Sequence, residues 1–300
     1  MSPRTTIPEL ARRAKAASRL VARSSTDVRN DALLTAADLL QTDEAAVLAA
    51  NEQDLATAKA SGVSPTLLDR LQLTSAKIAG MADGLRQVAT LPDPVGEVLD
   101  GWVRPNGLKI SRVRMPLGVV GIIYEMRPNV TSDAAALCLK SGNAAFLRGS
   151  SAAITSNTAI ESVLRSAYEK VGLPADALLL VPDTTREGAV TFMQQRGFVD
   201  CLIPRGGPAL IQSILDNATV PYVIDGDGNC HVYVDRSADL AMATEIVVNA
   251  KMHRPSVCNA MESMVVHADV ARRFLPAVAE ALDGVDLVGD DRAREIVTRI

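Results

Sequence analysis

The stretch Pro116–Ala153, PLGVVGIIYEMRPNVTSDAAALCLKSGNAAFLRGSSAA, decides the fold. A continuously apolar run at 117–124 gives way to a polar turn, then to a helix-like stretch at 130–141, then to a second apolar run at 144–148. Short strands without polar alternation belong to a parallel sheet covered on both faces, and a helix between two such strands is the crossover a parallel pair requires. The alternation continues, with strands predicted at 177–181, 199–203 and 220–224 and helices at 151–171, 184–196 and 206–217. A strand at 231–234, a helix at 237–252, a strand near 263–267, a helix near 269–282 and a helical run to Ile300 complete the pattern. The class is α/β, with a doubly wound, Rossmann-like parallel sheet.

Upstream of this block, residues 4 to about 90 read as helices. Leu33, Leu34, Ala37, Leu40, Val47, Leu48 and Leu55 recur at roughly helical spacing. Thr42, Asp43 and Glu44 suggest a helix start, and Gly62 a stop. Beyond Pro92 and Pro94, two extended runs, 98–104 and 108–114, flank Pro105-Asn106-Gly107, and Asn-Gly there predicts a hairpin with a type I′ turn.

The 300 residues are 48% hydrophobic and 22% charged, enough for one large or two smaller domains. Aromatics make up only 3%, so Ala, Val, Leu and Ile must fill the core. A net charge of −4 without an evident basic face argues against a dedicated nucleic-acid binder. No apolar run is long enough to cross a bilayer. The basic N-terminus lacks the apolar centre of a secretory signal and reads as an ordinary first helix. Cys138, Cys201, Cys230 and Cys258 stand far apart without a CxxC pair, which disfavours structural zinc and a disulfide framework. Free thiols in a reducing, cytoplasmic compartment, and no metal, are the expectation.

Five constellations carry candidate chemistry. His253-Arg254-Pro255-Ser256-Val257-Cys258-Asn259 follows a helix that Pro255 cannot continue, so Cys258 falls in or just beyond a fixed turn. Arg254 or free backbone N–H groups there can lower a thiol pKa and make Cys258 a nucleophile, although most cysteines are small core residues. Cys138 and Cys201 read as core. Glu125, Arg127 and Asn129 lie at the carboxyl end of the first parallel strand, where open α/β sheets bind ligands. They are equally readable as solvated groups, and Asn129 as a helix cap.

Arg148 also lies at a strand's carboxyl end, where a guanidinium can take a phosphate bidentately, and Ser150 or Ser151 would cap the next helix, whose start favours anions. Arg205-Gly206-Gly207 repeats that strand, turn and helix arrangement. Two such strand ends together favour nucleotide binding, though neither is a GxGxxG or Walker loop. Asp225-Gly226-Asp227-Gly228 lacks the spacing of a calcium loop, and adjacent Cys230 and His231 on a strand point to opposite faces, which disfavours a dyad.

Taken together, the Pro116–Ala153 block, LIPRGG, GNCHVYVD and VNAKMHRPSVCNAMES resemble the γ-glutamyl phosphate reductases of the aldehyde dehydrogenase superfamily. The resemblance spans the chain. It implies N-terminal helices joined to an NADPH-binding Rossmann-like domain over 1–248, with a β-hairpin extension at about 98–114 used in oligomerisation. A second α/β catalytic domain would begin at 249 and run to 300 as an opening portion only, since family members usually continue further; a catalytically incomplete nucleotide-binding fragment is the alternative this raises. An oxidising or CoA-acylating aldehyde dehydrogenase is another. The implied reaction, in proline biosynthesis, is reduction of γ-glutamyl phosphate to glutamate 5-semialdehyde through a thioester on Cys258, with NADPH as cofactor. The Cys258 backbone N–H with Asn129 would hold the oxyanion. Arg148 would take the 2′-phosphate, with Ser150 beside it, and Arg205, Gly206 and Gly207 would flank the pyrophosphate. Glu125, Arg127 and Arg254 would contact substrate. Asp225 stands where hydrolytic relatives carry a water-activating glutamate, and phosphate as acyl acceptor makes such a base unnecessary. Homo-oligomerisation and association with a glutamate 5-kinase are the implied partnerships.

Overall fold

The computed structural model describes residues 5–225, 228–255 and 257–300. Two compact units divide the chain, Met1–Ile224 and Asp225–Ile300.

The first unit opens with five helices: α1 (Ile7–Val21), α2 (Thr26–Thr42), α3 (Glu44–Ala60), α4 (Pro65–Leu71) and α5 (Ser75–Thr90). The hydroxyls of Thr6, Ser25 and Thr74 accept the Glu9, Val28 and Lys77 N–H groups and so start α1, α2 and α5. Gly62, at φ +73°, follows α3 as its expected stop. Strands β1 (Val98–Val103) and β2 (Lys109–Val113) then form the expected antiparallel hairpin. Its turn is not type I′, because no residue other than glycine has positive φ among the described residues. Gly107 N–H donates to Arg104 O at 2.9 Å and Gly107 sits at φ +85°. Pro105 is fixed at negative φ, so the chain uses an ordinary turn closed by a left-handed glycine.

Four parallel strands follow, β3 (Val119–Tyr124), β4 (Ala144–Arg148), β5 (Leu178–Leu180) and β6 (Cys201–Arg205), in the order β5-β4-β3-β6. Between and after them lie α6 (Asn129–Lys140), α7 (Ile154–Lys170), α8 (Arg186–Met193) and α9 (Pro208–Asn217). All six residues of β3 are buried. Val120, Ile122 and Tyr124 enter one core with Leu33, Leu85, Leu139 and Leu164, which are contributed by α2, α5, α6 and α7. Val119 and Ile123 enter the other with Leu10, Phe192 and Ile214 of α1, α8 and α9. Gly121 faces this second core, where a Cβ would lie 2.7 Å from Leu202 Cδ2.

The strand predicted at 220–224 is reduced to a bridge between Leu202 and Tyr222. Leu202 N–H donates to Pro221 O and Val223 N–H to Leu202 O, but Pro221 has no N–H with which to extend the ladder.

The second unit contains β7 (His231–Val234), α10 (Leu240–Met252), β8 (Ser263–Val266), α11 (Ala268–Ala281) and α12 (Asp291–Arg294). Strands β7 and β8 pair in parallel, and Val247 of α10 packs with Phe274 and Val278 of α11. The unit begins at Asp225, ahead of the boundary expected at 249, because the β7–β8 ladder ties residues 231–234 to 263–266. The helical run predicted to Ile300 shrinks to the single turn of α12.

Charged groups fasten α1 to the sheet. Lys15 Nζ lies 2.6 Å from Asp200 Oδ1, and Asp200 Oδ2 accepts Val119 N–H at the start of β3. Arg13 grips Asp176 with two bonds of 2.9 and 2.6 Å, and Arg165 adds a third at 3.2 Å. The Arg13 hydrogen bond, supported by Arg165, holds the Asp176 carboxyl below the usual carboxylate range. A depressed folded-state pKa contributes stability above the unfolded-chain value, about 3.9, and loses it as pH falls through the folded-state value. Asp176→Asn therefore lowers the urea midpoint at pH 7, and its gap from the parent protein closes as pH drops below about 4. Circular dichroism during urea titration at both pH values tests this, and an equal gap at both would refute it.

Candidate active site

Strand order reverses between β3 and β6. The helix after β3 lies against one face of the sheet and the helix after β6 against the other, so their carboxyl ends border an open crevice where ligands of such sheets bind. Tyr124 pairs with Arg205 there. Glu125 N–H donates to Arg205 O at 3.3 Å, and the Glu125 carboxylate accepts Gly207 N–H at 3.3 Å. A Cβ on Gly206 would come 2.8 Å from Glu125 Oε1. Glu125, expected among the substrate contacts, is bonded to the glycine turn. Pro208 enters α9 in its first turn, and Gly207 at the helix start has no capping side chain.

Asn129 begins α6 without capping it, since its Nδ2 donates to Asp133 Oδ2 at 2.9 Å, one turn along. Burial pushes the Asp133 carboxyl up, while the Asn129 bond and the Arg205 charge oppose that shift. Asn129, Asp133 and Arg205 are thus gathered at one strand-end cluster. The i, i+4 spacing of Asn129 and Asp133 was visible in the sequence. Arg127, also in this turn, donates its backbone N–H to Glu125 O at 2.6 Å.

At the end of β4, Arg148 Nη2 donates to the carbonyls of Thr184 and Thr185 at 2.7 and 2.8 Å, while its buried Nε has no hydrogen-bond partner. Burial lowers the Arg148 pKa. Ser150 does not cap the next helix, and its buried Oγ is also unpartnered. The first amides of α7 are taken by Asp54 of α3, which accepts Thr155 N–H at 3.2 Å, Ser156 N–H at 2.7 Å and the Ser156 hydroxyl at 2.6 Å. The α7 start is therefore not the anion site its sequence suggested. Beneath this strand end, Tyr124 OH bonds Thr131 Oγ1 at 2.7 Å, and Thr131 reaches Asn157 Oδ1 at 3.2 Å. Gly149 is required here, since a Cβ would lie 2.2 Å from Asn157 Nδ2.

In the second unit, α10 stops at Met252 and Arg254-Pro255 leads to Cys258, which is exposed. Val257 N–H donates to Arg254 O and Ala260 N–H to Val257 O, so Cys258 lies within consecutive turns. Ser256 of this motif lies outside the described residues, as do Gly226 and Asp227 of the Asp225–Gly228 turn. Cys138 and Cys201 are buried as expected. Burial pushes the Cys138 thiol up to about 12 and the Cys201 thiol in the same direction, which keeps both protonated and unreactive. The accessible sulfurs are Cys258 and the half-buried Cys230. No group of three or more His, Cys, Asp or Glu among the described residues can hold a metal ion, and no helix among them is long and apolar enough to cross a membrane.

Comparison with known proteins identifies the class. The aldehyde dehydrogenase family model matches residues 2–298, and the chain belongs to that family. Its relatives narrow the likeness. It is 51% identical over 294 residues to the γ-glutamyl phosphate reductase of Syntrophomonas wolfei, covering 97% of this chain and 70% of that protein. It is 52% identical over 287 residues to that of Moorella thermoacetica, covering 95% and 69%. The crystal structure of γ-glutamyl phosphate reductase from Thermotoga maritima superposes with a TM-score of 0.89 at 42% identity, covering 97% of this chain and 71% of that one. The corresponding Saccharomyces cerevisiae structure gives 0.68 at 32% identity, covering 91% and 68%.

The Asp54 cap yields a direct test. Asp54→Ala leaves the buried Ser156 amide and hydroxyl without their acceptor and destabilises the protein by about 1–3 kcal/mol. Urea unfolding measures it, and an unchanged midpoint would remove Asp54 from this role.

Proposed function

We propose that the chain catalyses NADPH-dependent reduction of γ-glutamyl phosphate to glutamate 5-semialdehyde and inorganic phosphate, the activity named in its relatives and a step of proline biosynthesis. The observation that carries the chemistry is the state of the four thiols: Cys258 is exposed in a turn and Cys230 is half-buried, while Cys138 and Cys201 are sealed in the core. Cys258 attacks the acyl carbon and phosphate leaves, giving a thioester. The developing oxyanion takes a hydrogen bond from the Cys258 backbone N–H. Arg254, on the segment that leads to Cys258, is the candidate cation for an anionic group of the substrate.

The strand ends of the first unit fit a dinucleotide. Two buried polar atoms there, Arg148 Nε and Ser150 Oγ, lack partners, as expected of groups that meet a ribose phosphate. Gly206 and Gly207, braced by Glu125, allow close approach to the start of α9, where no side-chain cap is bonded. NADPH, when bound, supplies the hydride that reduces the acyl group. Residues of the first unit thus serve the cofactor, and those from Asp225 onward serve the acyl transfer. The hairpin leaves Val98, Leu99, Trp102 and Val103 exposed on a two-stranded ribbon that is marginal on its own, which supports self-association through this surface. Association with a glutamate 5-kinase and a cytoplasmic location complete the reading.

The reverse reaction is the practical assay: NADP⁺ reduction with glutamate 5-semialdehyde must depend on added phosphate. Cys258→Ser lowers kcat by roughly 10³-fold or more, whereas Asp225→Asn keeps most of the activity because no water needs activating. Full activity of Cys258→Ser, or equal turnover without phosphate, would overturn the proposal.

A further inference from the structure

Cys230 is not required by the reaction above, yet it is the thiol that reaches Cys258. Its Sγ donates to the Cys258 carbonyl oxygen at 3.4 Å. Its own carbonyl accepts Glu262 N–H at 2.9 Å and Ser263 N–H at 3.1 Å. Residue 230 is therefore tied to the segment 258–263 by side chain and main chain together, at the point where His231 opposite Ser263 opens the β7–β8 ladder. The two cysteines belong to the same compact unit.

The chain around Cys258 is surface turn rather than packed helix or strand. A disulfide needs Cα atoms within about 7 Å of each other. With the Cys230 sulfur already against the Cys258 main chain, a small adjustment of the turn brings the Cα atoms into that range, and side-chain rotation then turns the two sulfurs together. Cys138 and Cys201 have no comparable access, being buried in the first unit.

We propose that Cys230 and Cys258 form an oxidation site, in which Cys230 resolves an oxidised Cys258 into a reversible intramolecular disulfide. This rests on the reading of Cys258 as the reactive thiol. The oxidant is a hydroperoxide. The Cys258 thiolate attacks the terminal oxygen of ROOH, the O–O bond breaks, and sulfenic acid and ROH form. The Cys230 sulfur then attacks the sulfenic sulfur, the S–O bond breaks, and water leaves with the remaining proton. In total two thiols lose two electrons, and the peroxide is reduced to ROH and water. The disulfide form has no thiolate to accept an acyl group, and it also blocks the irreversible step to sulfinic acid.

The test treats the parent chain, Cys230→Ser and Cys258→Ser with hydrogen peroxide, blocks residual thiols, and maps tryptic peptides without reductant. In the parent, the peptides carrying residues 230 and 258 are found linked, with two hydrogens lost, and dithiothreitol returns nearly all activity. In Cys230→Ser, Cys258 accumulates as sulfinic acid and dithiothreitol restores little. Unlinked peptides in the parent, with Cys258 reaching sulfinic acid as fast as in Cys230→Ser, would overturn the proposal. The catalytic reading fails separately, through full turnover by untreated Cys258→Ser, whereas the linked peptide is scored by mass alone.

Discussion

The adjacency of β3 and β6 is the constraint on which the first unit depends. These two parallel strands are hydrogen-bonded neighbours, yet the helices that follow them lie against opposite faces of the sheet. Their carboxyl ends consequently lie where the sheet's two helix layers diverge, the position at which open α/β sheets take ligands. Burial of the strands supplies the rigidity: β3 contributes no exposed residue, and each fully buried Val or Ile is worth roughly 1.5–3 kcal/mol. Gly121 lets Leu202 and Phe192 close against the strand, so even the missing side chain brings β6 and α8 nearer. Upon that base Glu125 spans the gap to Gly207, and the polar turn inherits its position from an apolar ladder.

Two helix starts that look alike in sequence differ in where a carboxylate meets them. Arg148-Gly149-Ser150 before α7 and Arg205-Gly206-Gly207 before α9 both pair a cation with a permissive turn. Asp54 puts a carboxylate on the first amides of α7 and cancels the attraction for an external anion. At α9 the Glu125 carboxylate meets the Gly207 N–H, ahead of the first turn, and no side-chain cap is bonded within the helix start. The difference originates in α3, a hundred residues earlier in the chain, where Asn51 and Asp54 face α7 one turn apart. Asn51 joins Ser156 and the Leu71 and Leu73 main chain to the same buried network. A solvated anion site and a structural cap are alternative uses of one helix terminus, and a distant carboxylate selects between them.

This is also where sequence reading reaches its limit. The strands were legible because two-sided burial imposes an unbroken apolar run, and the hairpin because Pro105 and Gly107 interrupt two extended segments. The details that failed are those set by single backbone atoms or distant partners. Pro221 cuts a strand to a bridge through one missing N–H, and Pro105 rejects the type I′ geometry that Asn-Gly alone favours. The carbonyls of Thr184 and Thr185 claim part of Arg148, and nothing near residue 148 in sequence announces them. Likewise Asn129 looked like a cap because its residue type suits one, whereas its bond to Asp133 points to a different task.

The thiols expose a conflict that packing alone does not resolve. Burial silences Cys138 and Cys201 by keeping the neutral form, and it also shuts out reagents. That protection is closed to a sulfur proposed to meet an acyl phosphate, since whatever admits a substrate carbonyl admits a smaller peroxide. An accessible nucleophile can be spared only by something beside it. The bond from Cys230 to the Cys258 carbonyl sets a second sulfur in that place without adding a charge, while β7 pairing holds it from behind. Cys230 is half-buried where Cys258 is exposed, an order of accessibility that lets the outer thiol meet an oxidant first and the inner one follow.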